Sequence, residues 1–224
     1  MGLSAFVIEA EDGIVMGIIN NLLINTVGDS AIVVLGVISK IYMFLFIAMF
    51  GIASAMQPIA AYNFGARDFK RLKEVMKKTT IYATITSAIL WVIGMIFAPK
   101  LVTIFVKDPI IIAESVKAFR IMIAVFPIIS IYYVSIFYFQ AMGDIKYAVT
   151  VSILRQIMIM LPVAIILVKV FNLGAMGVWL AFPISDIAAA AIALKLIKDE
   201  GYELNEKVEK QKQKEKRARE YILN

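Results

Sequence analysis

Neither cysteine nor histidine occurs among the 224 residues. Their absence excludes disulfides, thiolate nucleophiles, imidazole bases and the usual zinc sites, so no metal ligand set and no bound cofactor is expected. Proton chemistry falls to carboxylates, lysine and tyrosine. There is no G-x-S-x-G elbow, no G-x-x-x-x-G-K-[ST] phosphate loop and no convincing pair of intramembrane catalytic aspartates. An enzyme is therefore not expected, and transport driven by ATP bound to this chain is not expected either. Charge is scarce too, at 18% of residues.

What fills the chain instead is apolar sequence: 61% hydrophobic residues and a mean hydropathy of +0.84. That exceeds the needs of a soluble core and predicts an all-α membrane protein whose main partner is the lipid bilayer. A net charge of +6 can signal nucleic acid, but here the positive residues sit in a few blocks between apolar runs or near residue 224. They read as the basic loops of a membrane protein, with no nucleic-acid partner. The first apolar run lacks a basic leading segment, holds three acids and reads as a span rather than a cleavable signal.

Six spans are expected, at about 3–27, 31–64, 75–98, 109–142, 145–171 and 175–197, followed by a charged cytoplasmic tail over 199–224. Gly28-Asp29, Pro99-Lys100, Gly143-Asp144 and Asn172-Leu173-Gly174 mark the ends, and Asp108-Pro109 reads as an N-cap with the first helical residue. Lys and Arg crowd the loop after the second span, where Arg67, Lys70, Arg71, Lys73, Lys77 and Lys78 fall within a dozen residues. The first loop has none, so alternation places both termini in the cytoplasm of a cell-membrane protein. Pro58, Pro127, Pro162 and Pro183 lie inside spans and predict bends, either static or hinged.

Polar residues inside apolar spans are where chemistry is expected. A helix starting only at Gly13 would be too short to cross, which puts Glu9, Glu11 and Asp12 at membrane depth. Helical spacing places Glu9, Asp12, Met16 and Asn20 on one face and Glu11 elsewhere. Two like charges in low dielectric favour carrying a proton or sharing a cation, which makes Glu9 and Asp12 the coupling candidates. An interfacial first segment would instead leave them solvated and inert. Arg155 and Asp186 are candidates for a buried charge pair, with a snorkelling arginine as the alternative. Asn20, Gln57, Tyr133 and Gln140 are candidates for a substrate pathway, although amides and hydroxyls also join transmembrane helices. Gly13-x-x-x-Gly17 permits a close helix contact.

Four segments carry a resemblance: Q-P-I-A-A-Y-N-F-G-A-R at 57–67, F-Q-A-M-G-D-I-K at 139–146, L-R-Q at 154–156 with Pro162, and G-V-W-L-A-F-P-I-S-D at 177–186. In order and register they resemble the C-terminal half of MATE-family multidrug exporters, across about 200 residues. The resemblance implies a six-helix lobe, one of two in a complete transporter, that exchanges cationic or amphipathic small molecules for Na⁺ or H⁺. It places Glu9 near a carboxylate that some members use in cation coupling, whereas the usual carboxylate partner in the fourth span is absent. It also implies a second six-helix lobe as partner, either another copy or a separately encoded N-terminal lobe. A non-transporting fragment or assembly subunit, or a flippase of lipid-linked glycans from the same superfamily, are the alternatives.

Overall fold

The computed structural model describes the backbone from Gly2 to Leu223 and the side chains at positions 6, 10–144, 146–210 and 213. Its elements are helices α1 (Gly2–Thr26), α2 (Asp29–Gly65), α3 (Phe69–Thr103), α4 (Pro109–Met122), α5 (Phe126–Ala141) and α6 (Ile145–Ile153), a π-helical stretch over Leu154–Met160, then α7 (Leu161–Lys169) and α8 (Ala175–Leu223). No strand occurs among the described residues. This is an all-α membrane protein. Four runs, Asp29–Gly65, Phe69–Thr103, Lys146–Lys169 and Ala175–Lys210, are long and apolar enough to cross a bilayer, and the bent α4–α5 pair supplies a fifth. With 25 residues, α1 has the length of a sixth but carries Glu9, Glu11 and Asp12.

The helix ends follow from local chemistry. Asp108 caps α4 by accepting from the backbone N–H of Ile110 at 2.8 Å and of Ile111 at 3.1 Å, with Pro109 next, where a missing N–H costs nothing. Asp68 caps α3 through the N–H of Arg71 at 3.0 Å. The turns between α1 and α2 and between α5 and α6 need left-handed backbone, which Gly28 (φ 105°) and Gly143 (φ 78°) supply.

Three expected boundaries differ. The span expected at 109–142 is two helices bent by 56° around Ile123–Val125. Pro127 accounts for the break, because its ring clashes with the carbonyl of Ile123 and it has no N–H to donate. Pro99 does not close α3, which runs on to Thr103. Gly94, Ala98 and Val102 continue one buried stripe past that proline, and packing outweighs a single lost hydrogen bond. The charged segment from residue 199 continues α8 without a break. Leu204 is fully buried, Glu200 accepts from the Tyr138 hydroxyl at 2.8 Å, and Lys73 donates to Asn205 at 2.5 Å, so two turns beyond the apolar part dock on α3 and α5.

Between helices the contacts are made by small residues. Ala53, Ala60, Ala83, Ala98, Ala164 and Ala181 are all fully buried. In lipid, where apolar surface gains little by leaving its solvent, such close approach is what holds helices together. The tightest case is Gly177, where an added Cβ meets the Leu167 carbonyl carbon at 2.9 Å and Val168 Cγ2 at 3.0 Å. Gly177→Ala is therefore expected to push α8 off α7 and to cost about 1–3 kcal/mol, read as a lower thermal midpoint in detergent. An unchanged midpoint would show that this crossing yields easily. Gly13 and Gly17 have open space where a Cβ would sit, so the close contact expected there is not made.

Candidate functional site

Five elements converge on one polar cluster. From α1, Glu11 turns inward at 4% exposure, at the head of the stripe Val15, Ile19 and Leu22 that packs against the bundle. Its Oε2 accepts from the Ser152 hydroxyl of α6 at 2.7 Å. Its Oε1 is buried with no hydrogen-bond partner. An orphaned carboxylate oxygen at this depth is costly unless a proton or a cation meets it.

Beside it lies a buried ion pair. Arg155 is the second residue of the π-helical stretch, whose wider turn brings both Arg155 and Gln156 to the interior. Its Nε and Nη2 donate to Oδ1 of Asp186 on α8 at 3.0 and 2.8 Å, with the two side chains only 7% and 4% exposed. The guanidinium also lies 5.2 Å from the ring centre of Tyr132, a cation–π contact in a desolvated place. Such a pair is neutral as a unit, which is how two charges persist at this depth.

The wall above is aromatic. Tyr42, Phe46 and Phe50 recur at i, i+4 and i+8 along α2, so they share one face and meet α5 in turn. Tyr42 meets Phe126 at 5.6 Å, Phe46 meets Tyr133 at 4.8 Å and Phe50 meets Phe137 at 5.0 Å, all edge to face. Two adjoining cavities, of about 260 and 200 Å³, share Asp12, Phe46, Tyr133, Arg155 and Gln156 as lining. Their faces of negatively charged π-density and the Asp12 carboxylate suit a flat or bulky cation.

The residues singled out from sequence are distributed as follows. Asp12 is exposed and lines both cavities together with Tyr133. Gln57 donates to Gln140 at 2.8 Å, and Gln140 lines the smaller cavity. Asn20 is exposed and is not part of either cavity wall. The side chain of Glu9 lies outside the described residues. Sequence reasoning placed Glu11 at membrane depth but left it out of the coupling candidates, and it did not single out Ser152 or Tyr132. The signal for Glu11 was available: it stands four residues before Val15 and eight before Ile19, on the apolar stripe, whereas Asp12 does not. Among the described residues no group of three acidic side chains is close enough to hold a metal ion.

The model of the MatE family matches residues 14–166. The chain belongs to the MATE family. The multidrug export protein MepA of Staphylococcus haemolyticus is 23% identical over 197 residues, 88% of this chain but 42% of MepA. A MATE structure in complex with MaL6 superposes with a TM-score of 0.87 at 20% identity, covering 92% of this chain and 46% of that one. The MATE transporter ClbM in complex with Rb⁺ gives 0.81 at 22% identity over 88% of this chain and 45% of its own. This chain thus spans under half the length of the MATE proteins it matches, and its fold is that of part of a MATE transporter.

Proposed function

We propose that this chain is half of an ion-gradient-coupled exporter of cationic or amphipathic small molecules, with Na⁺ or H⁺ as the exchanged ion. The observation that carries this reading is Glu11, buried with one oxygen held by Ser152, itself part of the lining of the smaller aromatic-walled cavity, and the other oxygen unpartnered. A carboxylate there can be neutralised by a proton, by a metal cation or by the charge of a solute. Because these occupants exclude one another, binding one expels another, and that exclusion is the elementary step of exchange. Asp12, on the cavity wall one residue along, draws cations toward the same place. The Arg155–Asp186 pair and the aromatic wall hold the site in shape.

The same cavity argues for a partner. A face carrying Asp12, Gln140, Gln156 and Tyr133 is costly to turn toward lipid, so a second six-helix lobe covers it, either another copy of this chain or a separately encoded lobe. The basic loop over 67–78 supports a cell-membrane orientation with this end in the cytoplasm. Vesicles from cells producing the protein provide the test. Movement of a lipophilic cation such as tetraphenylphosphonium should stop when the Na⁺ and proton gradients are both collapsed. Movement that persists without either gradient, or that equals vesicles lacking the protein, contradicts the reading.

A further inference from the structure

Away from the cavity, a groove of about 310 Å³ runs between α3 and α8. Its walls are almost wholly apolar, formed by Met76, Ile81, Ile197 and the bare Cα of Gly201, and at one end stand Lys73 and Lys77. The two lysines are one turn apart on α3 and share a face with Ile81. From there an exposed apolar row, Ile81 at 45%, Ile85 at 52% and Ile89 at 56%, leads along α3 away from the charge. From Lys77 to Ile89 this face runs roughly 18 Å, more than one leaflet's share of the ~30 Å hydrocarbon core.

The charges around the groove leave it positive. Glu74 is paired with Lys78 at 2.6 Å and Glu203 with Lys207 at 3.6 Å, while Glu200 keeps its single charge and is held by the Tyr138 hydroxyl at 2.8 Å, fewer than the two ammonium groups opposite it. Asp199 lies on the opposite side of α8 from Ile197 and Gly201. Lys73 is held toward α8 by Asn205, which aims its ammonium across the mouth of the groove. A greasy slot with two ammonium groups at its end matches one kind of molecule, an amphiphile with an anionic head.

We infer that this groove is a binding site for an anionic phospholipid, with one acyl chain along Ile81 and Ile197 and the phosphate on Lys73 and Lys77. The lipid bridges α3 to the docked part of α8, at the end of the bundle where both leave the apolar zone. Each lysine should favour an anionic head over a zwitterionic one by roughly five-fold.

The absence of cysteine makes the test clean, because a bimane fluorophore on Ile81→Cys labels one site. The labelled full chain is reconstituted into phosphatidylcholine vesicles in which one-fifth of the lipid carries brominated acyl chains, either phosphatidylglycerol or phosphatidylcholine. Quenching by brominated phosphatidylglycerol should exceed that by brominated phosphatidylcholine several-fold. The excess should shrink in Lys77→Gln, which leaves the Lys73–Asn205 bond in place, and vanish in Lys73→Gln/Lys77→Gln. A label on Ile184→Cys, on the far side of α8, should show no preference. Equal quenching by the two lipids at position 81, a preference that survives both glutamines, or an equal preference at position 184 would each overturn the proposal.

Discussion

Arg155→Leu is expected to cost the bundle about 3–5 kcal/mol, because it leaves the Asp186 carboxylate buried without the two hydrogen bonds that now neutralise it. Asp186→Leu should cost a similar amount for the reciprocal reason, with a buried guanidinium left against the Tyr132 ring and no carboxylate. For a chain of this size that is a fall of roughly 6–20 °C in thermal midpoint. The double variant Arg155→Leu/Asp186→Leu should recover most of the loss, since it removes both charges and leaves no orphan. Thermal unfolding of the four proteins in one detergent gives the coupling energy directly. Additive losses, with the double variant the least stable of the four, would show that the pair is not a unit.

Glu11→Gln is expected to leave the fold nearly untouched while abolishing ion dependence. The amide is isosteric and its oxygen can still accept from Ser152, so the stability change should stay under about 1 kcal/mol. What it cannot do is exchange a proton or neutralise a cation. Ion-driven movement of tetraphenylphosphonium should therefore fall at least about ten-fold in vesicles that hold normal amounts of the protein. Asp12→Asn should weaken capture of the cation yet leave part of the coupling, because Asp12 is exposed on the wall while Glu11 is buried. Glu9→Gln belongs in the same series as the other acid proposed for coupling. Coupled transport that survives Glu11→Gln but fails in Glu9→Gln would transfer the role to the earlier residue.

Much of the fold was legible because the signals were covalent or local. Asp108-Pro109 announces a helix start, and the apolar runs announce helices long enough for a bilayer. Other features depend on partners that sequence does not display. In the sequence Pro99 reads as a span end and Pro127 as a bend inside a span, yet the helix runs through Pro99 and breaks before Pro127, and the difference lies in the buried stripe that continues past Pro99. L-R-Q-I-M-I-M gives no sign that it is wound as a π-helix, although that winding turns both Arg155 and Gln156 inward. Leu204 is one apolar residue in a charged stretch, and only the neighbouring α3 and α5 explain why it is buried.

The site was legible in part for the same reason. Arg155 with Asp186 was readable as two charges at matching depth, and the two are paired in the interior. The burial of Glu11 was not read from the sequence, because the acids of α1 were grouped with one another by mutual spacing and not compared with the apolar stripe at Val15 and Ile19. A carboxylate in register with a packed face goes inside with it, and its neighbour in sequence remains on the wall.

The most direct measurement is the affinity of the purified protein for tetraphenylphosphonium, titrated across pH and across Na⁺ concentration. Competition for one carboxylate predicts that acidification, added Na⁺ or both weaken binding to the native chain, and that Glu11→Gln binds more weakly with neither dependence left. Affinity in the native chain that ignores both ions, or a dependence that persists undiminished in Glu11→Gln, would contradict the account.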